Sequence, residues 1–388
     1  MEENSNHHVV KYMNEFALNT GLNKGVNKQV RYLWTDAFAV CNYLELFRET
    51  RKYKYINLAQ ELINQVHHVL GKYRKDQTKT GWINGLDDKS GEKHPTMGGL
   101  RIGKPFNERS SGDVIDEDLE WEMDGQYYHY ITKWIHALNN TAKVSKNFKY
   151  IKWAAELLRT AHNAFTYIPF NGSQMRMYWK MSIDLKRPLV TSMGQHDPLD
   201  GFVTYKETSS TALNCDVSGE IFNLDKEINE IKLMCTGMNM KTPDPLGIGG
   251  LLSDAVIVTQ LMIKDSIKKT EFLENLLVSA LISIRSYLAD NPTELPADYR
   301  LGFREFGLSI GLNGLKIINE CFEKNPELYN DDLKQIVNKL EKYSYVAEGI
   351  EKFWMDIENQ KSRNWKEHLD INSVMLATSL APEGFLRI

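Results

Sequence analysis

Gln126, His129, Lys133 and His136 carry an amide, two imidazoles and an ammonium at spacings of three and four residues, which puts them on one face of any helix that contains them. Imidazoles take up and release protons near neutral pH, so this face is a candidate acid–base surface. A helix is predicted over 124–141: Asp124-Gly125 starts it, and Tyr127, Ile131, Trp134 and Leu138 recur with helical period on the other side. The run before it, 98–104, brings flexible glycine backbone and two cations, Arg101 and Lys104. A face of this kind is ordinarily solvated; the aromatic richness of the helix favours the wall of a polar cavity instead.

Residues 194–201, Gly-Gln-His-Asp-Pro-Leu-Asp-Gly, are the second concentration of chemistry and are predicted to be a loop. His196 beside Asp197 and Asp200 has the makings of an oriented acid or base, with Gln195 next to it, although Asp-Pro and Asp-Gly are also ordinary turn chemistry. The spacing His-Asp-Pro-Leu-Asp matches no recognised ligand pattern, so no metal is expected. Asp36 is the one charge between Arg31 and Glu45; buried, it must be paired, with Arg31 or another arginine, or face a cavity. Glu120 and Glu122 flank Trp121, whose indole can raise a carboxyl pKa. The catalytic candidates are therefore Asp36, Asp124, His129, His196, Asp197 and Asp200. Those for binding substrate are Arg101, Lys104, Gln126, Tyr128, Lys133, Trp179, Lys180, Gln195 and Arg304.

Helices must position these groups. Segments poor in charge (27–48, 124–141, 251–263, 300–319, 371–380) alternate with amphipathic ones (54–74, 148–165, 266–288, 331–358), and further helices are expected at 7–19, 203–212 and 217–237. Residues 175–185 alternate enough for a short strand or extended loop, allowing a small β-hairpin at one mouth of the fold. Roughly twelve helices alternating between covered and exposed describe an all-α (α/α)6 toroid. An open solenoid also alternates, but the fixed repeat of such arrays is missing. No linker or compositional break interrupts the 388 residues, so one domain over 1–388 is expected.

A formal net charge of −4 leaves no basic footprint for nucleic acid and no polybasic membrane anchor. The longest apolar run, 246–263, contains Asp254 and reads as too short for a membrane span. The start of the chain lacks the pattern of a secretory signal, and the four cysteines lack metal or redox spacing; a cytoplasmic protein with reduced thiols is expected. The glycines at 247–250 form neither a Walker loop nor a dinucleotide fingerprint, and no cofactor is expected. Gly307-Leu-Ser-Ile-Gly311 lies inside the helical segment 300–319 and so makes no strand-to-helix nucleophile elbow, and no His-Glu-x-x-His motif occurs.

The helical alternation resembles the six-hairpin glycosidase-like superfamily over most of the chain. Locally, residues 99–104, Glu120-Trp121 with 124–130, and 193–201 look like a bacterial group of toroid-like proteins to which no catalytic assignment attaches. The resemblance implies a site in the funnel at one mouth of the inner helices, and a carbohydrate or other small polar substrate. Three readings follow. The first is a glycoside hydrolase with paired carboxylates from Asp36, Asp124, Asp197 and Asp200. The second is a sugar isomerase or epimerase using His129 and His196. The third is a non-catalytic toroid that binds a metabolite or protein partner.

Overall fold

Segments poor in charge have no face to offer water and become helices covered on nearly all sides. In the computed structural model these are Leu33–Thr50, Tyr128–Ser145, Pro245–Ile263, Gly302–Asn313 and Leu369–Leu380, and Asp197–Asn214 is likewise mostly covered although it carries Asp197, Asp200, Lys206 and Glu207. Between them run helices with one exposed polar face: Tyr53–Leu70, Lys149–Phe165, Asp225–Met234, Thr270–Leu288, Asp331–Glu341 and Ser344–Met355. The structure describes residues 2–23, 29–114, 116–172, 174–264, 267 and 270–388. The chain forms two compact units, one of Met1–Asn19, Glu45–Arg51 and Asn239–Ile388, the other of Thr20–Leu44 and Lys52–Met238.

In the first unit Pro245–Ile263 packs on Thr270–Leu288 and Gly302–Asn313, which in turn meets Ser344–Met355 and Leu369–Leu380. Asp244 caps Pro245–Ile263 by accepting from Gly247 N at 3.2 Å, and Pro245 sits at its first position. Its glycines are there for close packing: a Cβ on Gly249 would stand 1.9 Å from the Gly307 carbonyl oxygen. At 19 residues this helix is long and apolar enough to cross a membrane, contrary to the reading of its sequence as too short; it is mostly buried inside the protein. Arg304, a substrate-binding candidate, lies in this unit and donates to Asp244 at 2.7 Å.

In the second unit Tyr128–Ser145 packs on Lys149–Phe165 and on Asp197–Asn214, and the latter on Asp225–Met234. Two small antiparallel sheets accompany them. Gln126–Tyr127 pairs with Lys180–Met181, which pairs with Pro188–Val190, and Thr166–Tyr167 pairs with Arg176–Met177.

The departures from the sequence reading have local causes. The helix expected from Asp124 begins at Tyr128 because Gln126 and Tyr127 are spent on the sheet. The helix expected at 203–212 begins at Asp197: Pro198 needs no amide partner in a first turn, and Asp197 and Asp200 suit its positive end. The segment 300–319 divides at Gly314 and 331–358 around Tyr343. The segment 27–48 becomes a helix from Leu33, positions 27 and 28 lying outside the described residues, as do 266, 268 and 269 of the segment 266–288. All four cysteines are free thiols.

Candidate functional site

The polar face read from the sequence is turned toward neither solvent nor an empty space but toward a second helix. His129, Lys133 and His136 on Tyr128–Ser145 meet Asp197, Asp200 and Glu207 on Asp197–Asn214. His129 Nδ1 stands 3.8 Å from Asp197 Oδ1, Lys133 Nζ 3.2 Å from Asp200 Oδ2, and His136 Nδ1 2.7 Å from Glu207 Oε2, with Lys143 Nζ 3.4 Å from Glu207 Oε1. Side-chain exposure falls along this ladder from 23% at His129 to 3% at His136. It has an open end and a sealed one.

The sealed rung is an ion pair. Glu207 is drawn down to about 2 against its burial, by the charges of His136 and Lys143 and their hydrogen bonds. Against the same desolvation His136 is raised to about 9 by Glu207 and a hydrogen bond with Cys41. Asn140 Nδ2 lies 3.0 Å from His136 Nε2.

At the open rung the charges are absent instead. Desolvation lowers His129 to about 4, with Lys133 acting the same way and Asp200 opposing. Desolvation, helped by the negative charge of Asp200, raises Asp197 to about 8 against Lys133 and a backbone hydrogen bond with Gly194. A neutral imidazole thus faces a protonated carboxyl at pH 7. Among the described residues His129 Nδ1 and Asp197 Oδ2 are buried atoms with no hydrogen-bond partner, which is costly unless another molecule supplies one. Gly194 permits the arrangement, since a Cβ there would lie 2.5 Å from both Asp197 carboxylate oxygens.

Aromatic rings wall the open end. Tyr127 and Trp179 stack near-parallel to His129, with centroids at 5.3 and 6.1 Å and interplanar angles of 30° and 16°. Tyr130 stands edge-on to His129 at 4.8 Å and Trp34 at 6.0 Å. Tyr130 OH is 2.6 Å from Tyr32 OH, and Lys104 Nζ lies 5.6 Å over the Tyr32 ring. Desolvation lowers the pKa of Lys104, and Glu122, 3.9 Å away, opposes it. Tyr127 precedes the helix and Trp179 the strand that pairs with Gln126–Tyr127, so the small sheet fixes the wall against the ladder.

Several candidates are occupied with holding the protein together. Asp36 pairs with Arg31 at 3.3 Å and accepts from Tyr32 N at 3.0 Å. Asp124, fully buried, accepts from Arg101, from Arg74 at 3.3 Å, and from the Gly103 and Gly125 amides at 3.0 Å. The carboxylates of Asp36 and Asp124 are thus hydrogen-bonded within the protein. Arg101 also donates from Nε to the Lys72 carbonyl and from Nη2 to the Val69 carbonyl. Gln126 donates to Gly98 and Ile183 carbonyls and accepts from Leu100 N. Tyr128 donates to Tyr205 OH at 2.8 Å. The Lys180 ammonium is buried on Glu120 and the carbonyls of Glu120 and Met123. These four, expected to bind substrate, are enclosed. Gln195 is exposed, and half-buried His196 takes the N-cap position before Asp197. No contact joins His129 to His196 among those described; the partner of His129 is Asp197.

Glu207, Trp34, Tyr127 and Tyr130 were not singled out from sequence. Glu207 follows Asp200 by seven residues, two turns on one face, a signal hidden by assigning 194–201 to a loop. Among the described residues no group of three or more His, Cys, Asp or Glu is arranged to hold a metal ion.

No protein family matches the chain by sequence, nor does any curated protein. Solved structures do match by fold. A GH76 α-mannanase from Bacteroides thetaiotaomicron aligns over 97% of this chain and 96% of its own at 9% identity, TM-score 0.53. The cellobiose 2-epimerase of Spirochaeta thermophila aligns over 98% of both chains at 10% identity, TM-score 0.51. That of Bacillus thermoamylovorans aligns over 95% of this chain and 99% of its own at 9% identity, TM-score 0.50. The chain has their all-α, six-hairpin (α/α)6 fold.

Proposed function

From an (α/α)6 fold whose one open rung is a neutral acid facing a neutral base, we propose that this protein is a carbohydrate-active enzyme that isomerises or epimerises a sugar by proton transfer. The observation that carries the reading is the Asp197–His129 pair, 3.8 Å apart, uncharged at pH 7 and walled by aromatic rings. Rings of this kind suit the apolar faces of a sugar, and the unpartnered Nδ1 and Oδ2 await polar groups.

In this reaction the neutral His129 imidazole takes the proton from the carbon next to the sugar carbonyl. The C–H electron pair becomes the C=C bond of an enediol, and the carbonyl oxygen receives its proton from Asp197. Return of that proton from His129 to the neighbouring carbon isomerises the sugar; delivery of a solvent proton to the opposite face of the original carbon, with His129 releasing its own proton to solvent, epimerises it. In either case Asp197 recovers its proton from the enediol hydroxyl that becomes the carbonyl. Lys133 and Asp200 stay paired and keep a second full charge out of the site. The pairing of His129 with a carboxylic acid replaces the two-histidine arrangement expected from sequence.

Hydrolysis is the second reading, and one observation favours it: two carboxyls in unlike states, Asp197 protonated and Asp200 beside the Lys133 ammonium, resemble the acid and the ionised partner of a glycosidase. Both sit in one helical turn, however, whereas the reaction wants them on either side of the bond. Both chemistries occur on this fold, in the epimerases and the mannanase, and fold alone does not choose between them.

Incubation of a panel of mono- and disaccharides in deuterium oxide tests the proposal. Deuterium entering the carbon next to the carbonyl, without new reducing ends and abolished by His129→Ala, is the expected result. New reducing ends without exchange would transfer the reading to hydrolysis, and a sugar panel that neither binds nor changes would remove both.

A further inference from the structure

Beyond Trp179 the aromatic wall takes one more step, to Trp121. The two indoles meet edge-to-face with centroids 4.9 Å apart and planes at 78°, and Trp121 keeps 48% of its surface exposed. An exposed tryptophan on a loose loop would mean little, but this one has a rigid mount. It ends the short helix Glu117–Glu120, which Asp116 caps by accepting from Leu119 N at 3.0 Å. The preceding residue, Glu120, is buried between Lys180 Nζ at 2.8 Å and Arg109 Nε at 3.0 Å. The following stretch is tied by Phe106 N to the Glu122 carbonyl at 3.2 Å and by Asp124 N to the Phe106 carbonyl at 2.8 Å. A buried and a half-buried cation on one buried carboxylate are an expensive way to hold a surface turn unless what it presents must be held in place.

We infer that Trp121 is the platform of a second sugar subsite, so that the natural substrate is an uncharged oligosaccharide of two or more rings, with its reacting ring at His129 and Asp197 and the next ring on Trp121. The inference rests on the carbohydrate reading above. The steps from His129 to Trp179 and on to Trp121, 6.1 and 4.9 Å, form a continuous path from the half-buried imidazole to solvent. Polar groups for ring hydroxyls are close by in sequence and structure: the Glu122 carboxylate, 53% exposed, and Lys104 beside it, whose opposite charges give the rim no preference for an anionic sugar. Of these residues Lys104 and Trp179 were expected to bind substrate.

The experiment compares binding of linear glucose and mannose oligosaccharides of one to four units to the wild-type protein, Trp121→Ala and Trp121→Phe, by calorimetry and by quenching of tryptophan fluorescence. Expected in the wild type is a gain in affinity from one ring to two or three, then a plateau. Trp121→Ala shrinks the ratio of oligosaccharide to monosaccharide affinity about tenfold, and Trp121→Phe restores a large part of it. Affinity independent of length in the wild type, or an unchanged ratio in Trp121→Ala, overturns the subsite while leaving the carbohydrate reading intact. Absence of binding at every length overturns that reading, and the subsite with it.

Discussion

Asp197→Asn separates what Asp197 does for catalysis from what it costs the fold. A carboxyl that must take up a proton to fold costs about 1.4 kcal/mol for each pH unit between its unfolded value, about 3.9, and the working pH. With Asp197 raised to about 8 in the folded protein, that cost at pH 7 is at most about 4 kcal/mol. The sign follows from proton counting: between about pH 4 and 8 the folded state holds a proton that the unfolded state has released, so stability falls as pH rises through this window. An asparagine amide is neutral in both states and escapes the cost while keeping the shape. Asp197→Asn should therefore be more stable than wild type at pH 7. At roughly 2 cal/mol/K of unfolding entropy per residue the full effect raises Tm by about 5 °C, and the gain should shrink toward zero near pH 4. Activity should fall about 10²- to 10⁴-fold, because the amide cannot deliver the proton. Thermal unfolding of both proteins at pH 4.5 and pH 7, with turnover measured alongside, makes the check. An Asn variant that is less stable at pH 7, or a difference that does not change with pH, would refute the assignment of a protonated Asp197.

The pH profile of kcat/KM should be a bell, lost below about pH 4 as His129 takes up a proton and above about pH 8 as Asp197 ionises; a flat profile across either limb removes that residue from the reaction. Glu207→Gln leaves the His136 imidazolium without its counter-charge and should cost about 3–5 kcal/mol in urea unfolding at pH 7. For His136 itself, raised to about 9, the stabilisation is full below about pH 6.5 and is lost as pH rises through 9, so wild type and Glu207→Gln should converge at alkaline pH. Gln126→Ala strips the Leu100 amide and two carbonyls of their partner and should destabilise by about 1–3 kcal/mol; an effect confined to substrate affinity would return Gln126 to the binding candidates.

Charge-poor and amphipathic segments were legible because hydrophobic burial acts on composition over a whole helix, and small errors of register do not disturb it. So were the helix face of His129, Lys133 and His136, though not Gln126, which the sheet takes, and the chemical density of 194–201, because residue type and 3.6-residue spacing are local properties. What lay opposite that face was not local. The first turn at Asp197 and Asp200 has local signals of its own, but only packing set that turn against His129 and Lys133.

Asp36 shows the same limit from the other side. Its isolation in an apolar segment demanded a partner or a cavity, and the choice between them depended on where the Arg31 guanidinium fell. Asp124 and Gln126 have the residue types of a site, yet their hydrogen-bonding capacity is spent on Arg101, Arg74 and neighbouring backbone brought in by the 98–104 turn. Sequence by itself determined the helical alternation and the supply of acids, bases and rings. Tertiary structure decided which of them stay unsatisfied at the open end, because protonation state and free valence depend on burial and on neighbours distant along the chain.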